Sequence, residues 1–302
     1  MSGGSKRAVV LGGGGPVGVA WELGLASGLA SAGIDLATAD LVVGTSAGSI
    51  TGAMLTGGDD PAQLVAEIEA MFSNSAGTTG ADQVSESALA EFMDLTFAWG
   101  GIGDDPVARL EHTNKIGAFA RNASTIPEDA FVGTIGSVLA GRPWPAQFAC
   151  TAVDTESGEF QVWDATTDVP LERAIASSCS VPGVYPPITI NGRRYMDGGA
   201  RSALNADLAH GYGTAIVVSC TAMSLPPGID DPRIGAFLAT QRAEVDRLRE
   251  SGTTVEVIEP DLDFLVISNF GMSLMDFSIV GAAAEAGIRL GKNEAERIAA
   301  SW

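Results

Sequence analysis

Residues 8–24 have the sequence AVVLGGGGPVGVAWELG, and residues 40–55 have the sequence DLVVGTSAGSITGAML. Each stretch starts with a short apolar run typical of a buried strand. A turn of small residues and then a longer run typical of a helix follow. Two strand–turn–helix units in succession predict parallel strands, because such strands need a crossover between them. These two stretches therefore predict the fold class, which is α/β.

The remaining sequence extends this pattern and interrupts it once. Further strand-like runs lie at residues 147–154, 215–220 and 254–259. Between residues 73 and 145 the strand signals fade, and we expect a mostly helical insertion over one end of the sheet. A helical layer with no role at the site is the alternative, since an amphipathic stripe usually marks core packing. We expect one domain over residues 1–302, with a central, mainly parallel sheet covered by helices in three layers.

Charge and cysteine content exclude several classes of function. The chain has 17 basic and 37 acidic side chains and a formal net charge of −20, which disfavours nucleic acid and anionic membranes as partners. Transient contact with a membrane surface would have to be apolar or local. No run resembles a secretory signal or a spanning helix. The three widely spaced cysteines, Cys150, Cys179 and Cys220, lack metal-site spacing and favour a reducing, cytoplasmic location.

The glycine-rich turn admits more than one interpretation. Gly13, Gly15 and Gly18 match the G-x-G-x-x-G spacing of dinucleotide-binding turns. That interpretation requires an acidic residue at the end of the second strand, whereas Asp40 precedes the strand and Gly44–Ser46 end it. No Gly-Lys-Ser/Thr follows, as a phosphate-binding P-loop would require. The same backbone amides could instead hold an anion that exists only during a reaction.

The second turn contains a G-x-S-x-G sequence, Gly44-Thr45-Ser46-Ala47-Gly48, between a strand and a helix. Small residues on both sides let the chain turn sharply, so that the serine side chain projects from the tip. A serine that only caps the helix is the alternative. The strand before it and the two glycines favour a nucleophile.

A serine nucleophile needs a base, and the sequence offers few candidates. The two histidines, His112 and His210, lie in polar surroundings that predict solvated helix ends. The order Ser46, Asp197, His210 leaves a three-residue triad open, although only 13 residues separate the last two. The other candidate is a carboxylate base, because Asp197 follows a strand-like run and precedes two glycines at a predicted turn.

Three motifs together resemble the patatin-like phospholipase/acyl hydrolase family of bacterial type. They are the glycine-rich turn at residues 13–18, the serine turn at residues 44–48 and the sequence Asp-Gly-Gly at residues 197–199, in the family's order. The preceding block, AIASSCSVPGVYPPITINGRRYMDGG at residues 174–199, is also similar to the family's block before its aspartate. The resemblance covers roughly residues 6–220 apart from the insertion.

This resemblance implies a role for each matched residue. Ser46 would be the nucleophile and Asp197 the base of a serine–aspartate dyad, with no metal and no cofactor. The oxyanion hole would consist of Gly13, Gly14 and Gly15. The supporting positions of the three motifs would be Gly18, Gly44, Thr45, Ala47, Gly48, Gly198 and Gly199.

The resemblance also implies the reaction, which is hydrolysis of fatty acyl esters through an acyl-enzyme. Lysophospholipids, phospholipids and neutral esters are the candidate substrates. Where the family usually has a cation between its glycines, this chain has Val17, which favours uncharged esters over phosphate headgroups. The apolar run at residues 264–281 is either core or a wall for an acyl chain. A weakly catalytic acyl-lipid-binding protein and an α/β-hydrolase that uses His210 are the alternative functions, and the oligomeric state stays open.

Overall fold

The computed structural model describes residues 6–75, 86–103, 105–225 and 230–302. Its strands in this part of the chain are β1 (Arg7–Leu11), β2 (Leu41–Gly44), β3 (Phe148–Asp154), β4 (Phe160–Asp164), β5 (Ile188–Ile190), β6 (Arg193–Asp197), β7 (Thr214–Val218) and β8 (Thr254–Ile258). The helices there are α1 (Gly15–Ser31), α2 (Ala47–Thr56), α3 (Pro61–Ser75), α4 (Glu86–Ala98), α5 (Pro106–Asn122), α6 (Glu128–Leu139), α7 (Leu171–Ser178), α8 (Pro232–Glu250), α9 (Leu262–Ile267) and α10 (Val280–Ala299).

The strands form one sheet in the order β5-β6-β3-β2-β1-β7-β8, with β4 paired to β3. The five strands from β3 to β8 in this order pair in parallel, whereas β4, β5 and β6 pair antiparallel to their neighbours. The predicted fold class is confirmed: the sheet is mainly parallel and helices cover it. β4 was not predicted, because its residues FQVWD are mostly half-buried and show a weaker apolar signal.

Successive residues of β1 face opposite layers, and both layers are buried. Val9 and Leu11 belong to the larger core, which includes side chains of α1, α2, α3, α6 and α10. Ala8 and Val10 belong to a second core, which contains side chains of α8. A strand buried on both faces is a nearly continuous apolar run, which is why the sequence around β1 predicted it so clearly.

Helices α1 and α10 are in backbone-to-backbone contact. Gly28 of α1 faces Gly291 of α10, and Gly24 and Gly287 lie in the same contact. A side chain at any of the four would overlap backbone atoms of the other helix. These glycines are therefore needed for close approach. Through this contact α10 holds the helix that starts at the glycine-rich turn.

The predicted insertion at residues 73–145 includes α4, α5 and α6 and no strand in its described part. Residues 76–85 and residue 104 of this stretch lie outside the described residues. The three helices have different neighbours: α4 packs on α8, α5 lies against the β3–β4 end of the sheet, and α6 packs on α7 and α2. The division of the chain into one domain with an inserted cap stays a prediction. None of the helices in the described ranges is long and apolar enough to cross a bilayer.

Candidate active site

Pairing with β3 brings two predicted site residues together. Gly44 at the end of β2 pairs with Cys150 of β3, and Asp197 at the end of β6 pairs with Ala152, two residues further along the same strand. β2 runs parallel to β3 and β6 runs antiparallel to it, so the two strands approach each other end to end. The turn that contains Ser46 therefore starts beside the end of β6.

Ser46 occupies a strained turn between β2 and α2. Its φ is 51° and its ψ is −115°, a backbone conformation that residues other than glycine rarely adopt. Two backbone hydrogen bonds tie the turn to the end of β1: Thr45 N donates to Leu11 O and Gly48 N donates to Gly12 O, each at 3.0 Å. A side chain at Gly48 would overlap the Leu11 carbonyl, so a glycine is required there.

A neighbouring serine and cysteine hold the backbone of Ser46. The Ser46 amide donates to Ser178 Oγ at 3.0 Å, and Cys179 Sγ donates to the Ser46 carbonyl at 3.3 Å. Ser178 ends α7 and Cys179 follows it, in the block similar to the family's block before its aspartate, but no site role was predicted for either residue. Small polar residues at the end of a predicted helix are the signal that could have identified them.

The glycine-rich turn lies next to Ser46 and presents unpaired amides. Gly13 N donates to Ala203 O at 2.9 Å, so this amide is occupied. The amides of Gly14 and Gly15, at the N-terminus of α1, have no hydrogen-bond partner among the described residues. That is usual for the first turn of a helix. A Cβ on Gly13 would lie 3.5 Å from Ser46 Cβ, so the turn lies directly beside the serine.

Neither of the next two glycines tolerates a side chain. A Cβ on Gly14 would lie 2.6 Å from both Cβ and Sγ of Cys220. Gly15 has a φ of 59°, and a Cβ there would lie 2.5 Å from the Leu274 carbonyl oxygen. Lack of space for a side chain thus explains why glycines occupy these two positions, and no bound nucleotide is needed to explain them.

Asp197 is almost fully buried and has one free carboxylate oxygen. Its Oδ1 accepts a hydrogen bond from Gly199 N at 2.7 Å, while Oδ2 has no hydrogen-bond partner of standard geometry within the described residues. Burial raises the pKa of Asp197 to about 7, and hydrogen bonding by the Gly199 amide and the nearby Ser46 hydroxyl opposes that rise. The serine is thus close enough to affect the carboxyl group, although the two do not form a hydrogen bond of standard geometry. Such bonds are often long without substrate.

A buried polar network joins the serine turn to the loop after Asp197. Thr45 Oγ1 lies 2.9 Å from Thr151 Oγ1, and Asn205 Nδ2 donates to Thr45 Oγ1 at 3.0 Å and to Ser202 O at 2.8 Å. A side chain at Gly198 would overlap the Thr151 hydroxyl. Supporting roles were predicted for Thr45 and Gly198, whereas Thr151 and Asn205 lie outside the three sequence motifs and were not predicted.

Ser46 opens onto an apolar cleft that is open to solvent on one side. Gly15 and Ser46 line this cleft, whereas Gly14 precedes Gly15 and Asp197 lies beside Ser46, both outside the lining. These four residues are called the polar side of the cleft below. The opposite, apolar side is defined by Phe131, Ile135 and Val138 of α6 together with Met275 and Phe277. The described residues that line the cleft include no charged side chain. The predicted insertion therefore contributes a helix to the site through α6.

Three sequence positions lie apart from the cleft. His210 is exposed and lines a different cleft, beside Arg201 and Asp207. His112 is buried, with Nε2 2.8 Å from Leu95 O and its ring against Trp99, so the prediction of a solvated helix end is wrong for His112. Val17 is fully buried in the core, so its side chain does not face a headgroup.

Glu22 of α1 is a second buried carboxyl group close to the glycine-rich turn. Burial raises its pKa to about 8, and the Thr51 hydroxyl, the Cys220 thiol and the Gly12 backbone oppose that rise. Neither of its oxygens has a hydrogen-bond partner of standard geometry in the described part of the chain. Burial therefore favours the neutral form of Glu22, which lies outside the cleft lining.

The mainly parallel sheet, with its site at strand ends, places the protein among α/β proteins that build their sites from loops beyond the sheet. The family description "Patatin-like phospholipase" matches residues 9–210, more than half of the chain. The chain belongs to the patatin-like phospholipase family, and this membership implies lipid acyl hydrolase activity. The resemblance drawn from the three motifs is confirmed.

Two solved structures are similar to the chain at low sequence identity. VipD from Legionella pneumophila has 15% identity and a TM-score of 0.41, with 90% of this chain and 67% of VipD covered. The type III effector protein ExoU has 17% identity and a TM-score of 0.36, with 95% of this chain and 54% of ExoU covered. A search of curated proteins found no match. The fold assignment rests on the sheet and helices described above.

Proposed function

We propose that the protein hydrolyses fatty acyl esters with a serine–aspartate dyad formed by Ser46 and Asp197. Asp197 Oδ2 would take the proton of the Ser46 hydroxyl while Oγ attacks the ester carbonyl carbon. A carboxylate with a pKa near 7 suits this step, because it is both ionised and basic near neutral pH. The free Oδ2 is the observation that carries the proposal, since a buried acceptor without a partner is costly unless it has a use.

The negative charge that forms on the carbonyl oxygen would be held by the amides of Gly14 and Gly15. Ala47 N, at the start of α2, has no hydrogen-bond partner among the described residues either and would be a third donor. Gly13, which the resemblance also implied, donates its amide to Ala203 and is left out of this set. Each oxyanion donor typically contributes about 2.7–4 kcal/mol to the transition state.

The reaction would then proceed in two halves. The tetrahedral intermediate collapses, the ester C–O bond breaks, and Asp197 gives its proton to the leaving alcohol. Water then attacks the acyl-enzyme and transfers a proton to Asp197, and the fatty acid leaves as Ser46 recovers that proton. Ser46 and Asp197 are thus the only side chains that gain or lose a proton in this sequence, and both return to their starting state.

The substrate would be an acyl ester without a net negative charge near the carbonyl. The lining of the cleft, which has apolar side chains and no charged ones among its described residues, suits a fatty acyl chain and offers no counter-ion for a phosphate. Each buried methylene adds up to about 0.8 kcal/mol, so activity should rise with chain length until the cleft is full. Neutral esters and lysolipids are therefore proposed ahead of anionic diacyl phospholipids.

A fluorophosphonate probe tests this proposal, because it reacts covalently with activated serines. We expect one label, mapped to Ser46 by mass spectrometry, in wild type and none in Ser46→Ala. Hydrolysis of p-nitrophenyl esters of graded length should fall below a tenth of wild type in Ser46→Ala, with the thermal melt nearly unchanged.

Two other outcomes would contradict the proposal in different ways. Binding of a fatty acyl ester without labelling or turnover would identify an acyl-lipid-binding protein. Loss of turnover in His210→Ala as severe as in Asp197→Asn would replace the dyad by a triad, although His210 is exposed beside another cleft.

A further inference from the structure

Among the described residues, most of the exposed large apolar side chains lie on one short segment. Six such side chains are exposed within the described residues, and four of them, Leu262, Val266, Phe270 and Met272, fall within residues 262–272. Between 44% and 67% of each is accessible. These four residues, called the apolar patch below, extend from α9 into the turn that follows it.

Two residues of this segment show that the fold itself fixes the exposure of the apolar patch. Phe264, between Leu262 and Val266, is fully buried and packs on Trp21 with ring centroids 4.9 Å apart. Phe270 has a φ of 54°, a conformation that is uncommon for an aromatic residue. The chain thus adopts an unfavourable backbone angle at a side chain that stays accessible to solvent, an arrangement typical of functional surfaces.

The patch continues directly into the wall of the cleft. Leu274, two residues after Met272, accepts a hydrogen bond from Val17 N at 3.2 Å, and a Cβ on Gly15 would contact its carbonyl oxygen. Met275 and Phe277 then line the cleft that contains Ser46. One continuous segment, residues 262–277, therefore has an exposed apolar part and a part that closes the site.

The charges beside the patch decide which surface it fits. Asp261 caps α9, Asp263 lies in its first turn and Asp276 follows the turn after it. Arg289 is paired with Asp263 and Glu285. With a formal net charge of −20, the protein would be repelled by an anionic bilayer. A surface of uncharged or zwitterionic lipid would not repel the protein electrostatically and would cover the exposed apolar side chains.

We propose that the apolar patch docks the protein onto the surface of an uncharged or zwitterionic lipid aggregate, with the mouth of the Ser46 cleft facing the lipid. This inference extends the proposed hydrolase function by naming the physical form of its substrate. A lipid leaving the aggregate would pass from the patch along residues 273–277 into the cleft without crossing bulk water.

The test compares the full chain with two variants that remove apolar surface at different places. The patch variant carries Leu262→Ser, Val266→Ser, Phe270→Ser and Met272→Ser. The control variant carries Val107→Ser and Leu110→Ser, which alter the other two exposed apolar side chains, on α5. Co-sedimentation with phosphatidylcholine vesicles should be at least tenfold weaker for the patch variant and unchanged for the control.

Hydrolysis measurements separate docking from chemistry. With a short p-nitrophenyl ester below its aggregation limit, both variants should match wild type within twofold, which also shows that they are folded. With a long-chain ester carried in phosphatidylcholine vesicles, only the patch variant should lose activity, by at least tenfold. Vesicle binding that depends on the patch in a protein without any esterase activity would refute the proposed function and leave the docking intact.

Several results would overturn the docking proposal. One is equal vesicle binding by wild type and the patch variant. Another is binding that strengthens as phosphatidylglycerol is added, and a third is a wild-type dimer that the patch variant converts to monomer, which would identify a second copy as the occupant. As a second readout, Phe270→Trp should gain fluorescence that brominated phosphatidylcholine quenches; absence of quenching beyond that of wild type contradicts the proposal.

Discussion

The two sides of the cleft are built by different means. On the polar side, the backbone fixes the groups: the positive φ of Ser46, the free amides of Gly14 and Gly15 and the end-to-end approach of β2 and β6. The apolar side consists of side chains that come from α6 and from residues 275–277.

This difference indicates how each side responds to mutation. A backbone-built site has one productive geometry, so a single change there should abolish turnover. A side-chain wall can repack, so a change there should alter which substrate fits while turnover persists. The predictions below test this contrast in order of decreasing effect on activity.

The largest effect is expected for Asp197→Asn on the polar side. The amide keeps the shape of the carboxylate but cannot accept the Ser46 proton, so kcat should fall by about 10³–10⁴-fold. His210→Ala serves as the control and should stay within threefold of wild type, because His210 is exposed outside the Ser46 cleft. Steady-state hydrolysis of p-nitrophenyl butyrate measures both. A residual activity of Asp197→Asn above a tenth of wild type would remove Asp197 from the mechanism.

Gly15→Ala should lower kcat by about 10²–10³-fold, since the added methyl would meet the Leu274 carbonyl and displace an oxyanion donor. Gly33→Ala is a matched control at the other end of α1, because Gly33 also has a positive φ but has open space around its Cα. Binding of a non-hydrolysable ether lipid should change less than threefold in either variant. Equal losses of binding and turnover in Gly15→Ala would mean that the turn binds ligand instead of stabilising a transition state.

The pH dependence of kcat/KM should follow the Asp197 carboxyl. Because burial raises its pKa to about 7 and the base must be ionised, activity should rise about tenfold per pH unit below 7 and level off above it. Rates between pH 5 and 9 with a neutral ester provide the measurement. A profile that is flat down to pH 5 would show that the buried carboxyl does not titrate in the free enzyme.

On the apolar side, Val138→Phe should shorten the preferred acyl chain by several carbons and reduce long-chain kcat/KM about five- to tenfold, a discrimination usual for a filled apolar pocket. Activity on the butyrate ester should not change. Val132→Phe, on the same helix but outside the cleft lining, should leave the chain-length profile unaltered. If Val138→Phe instead removed activity on all chain lengths, the two sides of the cleft would not be separable.

The smallest effect on activity is expected for Glu22→Gln, which changes stability. Because burial raises the pKa of Glu22 from 4.5 to about 8, the wild type loses stability as pH rises from 4.5 through 8. Each pKa unit corresponds to about 1.4 kcal/mol of unfolding free energy. Urea unfolding should show equal stabilities near pH 5 and a more stable Glu22→Gln near pH 8.5. Parallel curves for the two proteins would mean that Glu22 is ionised in the fold.

The same contrast explains which parts of the site the sequence predicts. The residues of the polar side belong to short contiguous motifs, because sharp turns and close approaches require particular small residues at fixed spacing. Gly44–Gly48 and Asp197–Gly199 could therefore be placed from sequence, and so could the strands of the parallel sheet. Whether Gly13 kept a free amide was not predictable, since its partner, Ala203, is distant in sequence.

The apolar side leaves no comparable trace in the sequence. Val138 and Phe277 face the cleft, whereas Phe264 faces the core and Phe270 faces solvent. In the sequence, however, all four are apolar residues in largely apolar stretches. Hydrophobic periodicity distinguishes buried from exposed faces but not core from cavity. The polar partners Thr151 and Asn205 were missed for a related reason, because their contacts with Thr45 arise only when distant segments pack together.

The glycine-lined contact between α1 and α10 has a consequence for the timing of folding in the cell. More than 200 residues separate Ser31, at the end of α1, from Val280, at the start of α10. At ribosomal speeds, α1 waits on the order of ten seconds or more for its partner helix. Until α10 is synthesised, the nascent chain exposes the groove around Gly24 and Gly28. A chain released from the ribosome before α10 is complete would therefore tend to aggregate, and we expect chaperones to shield this groove.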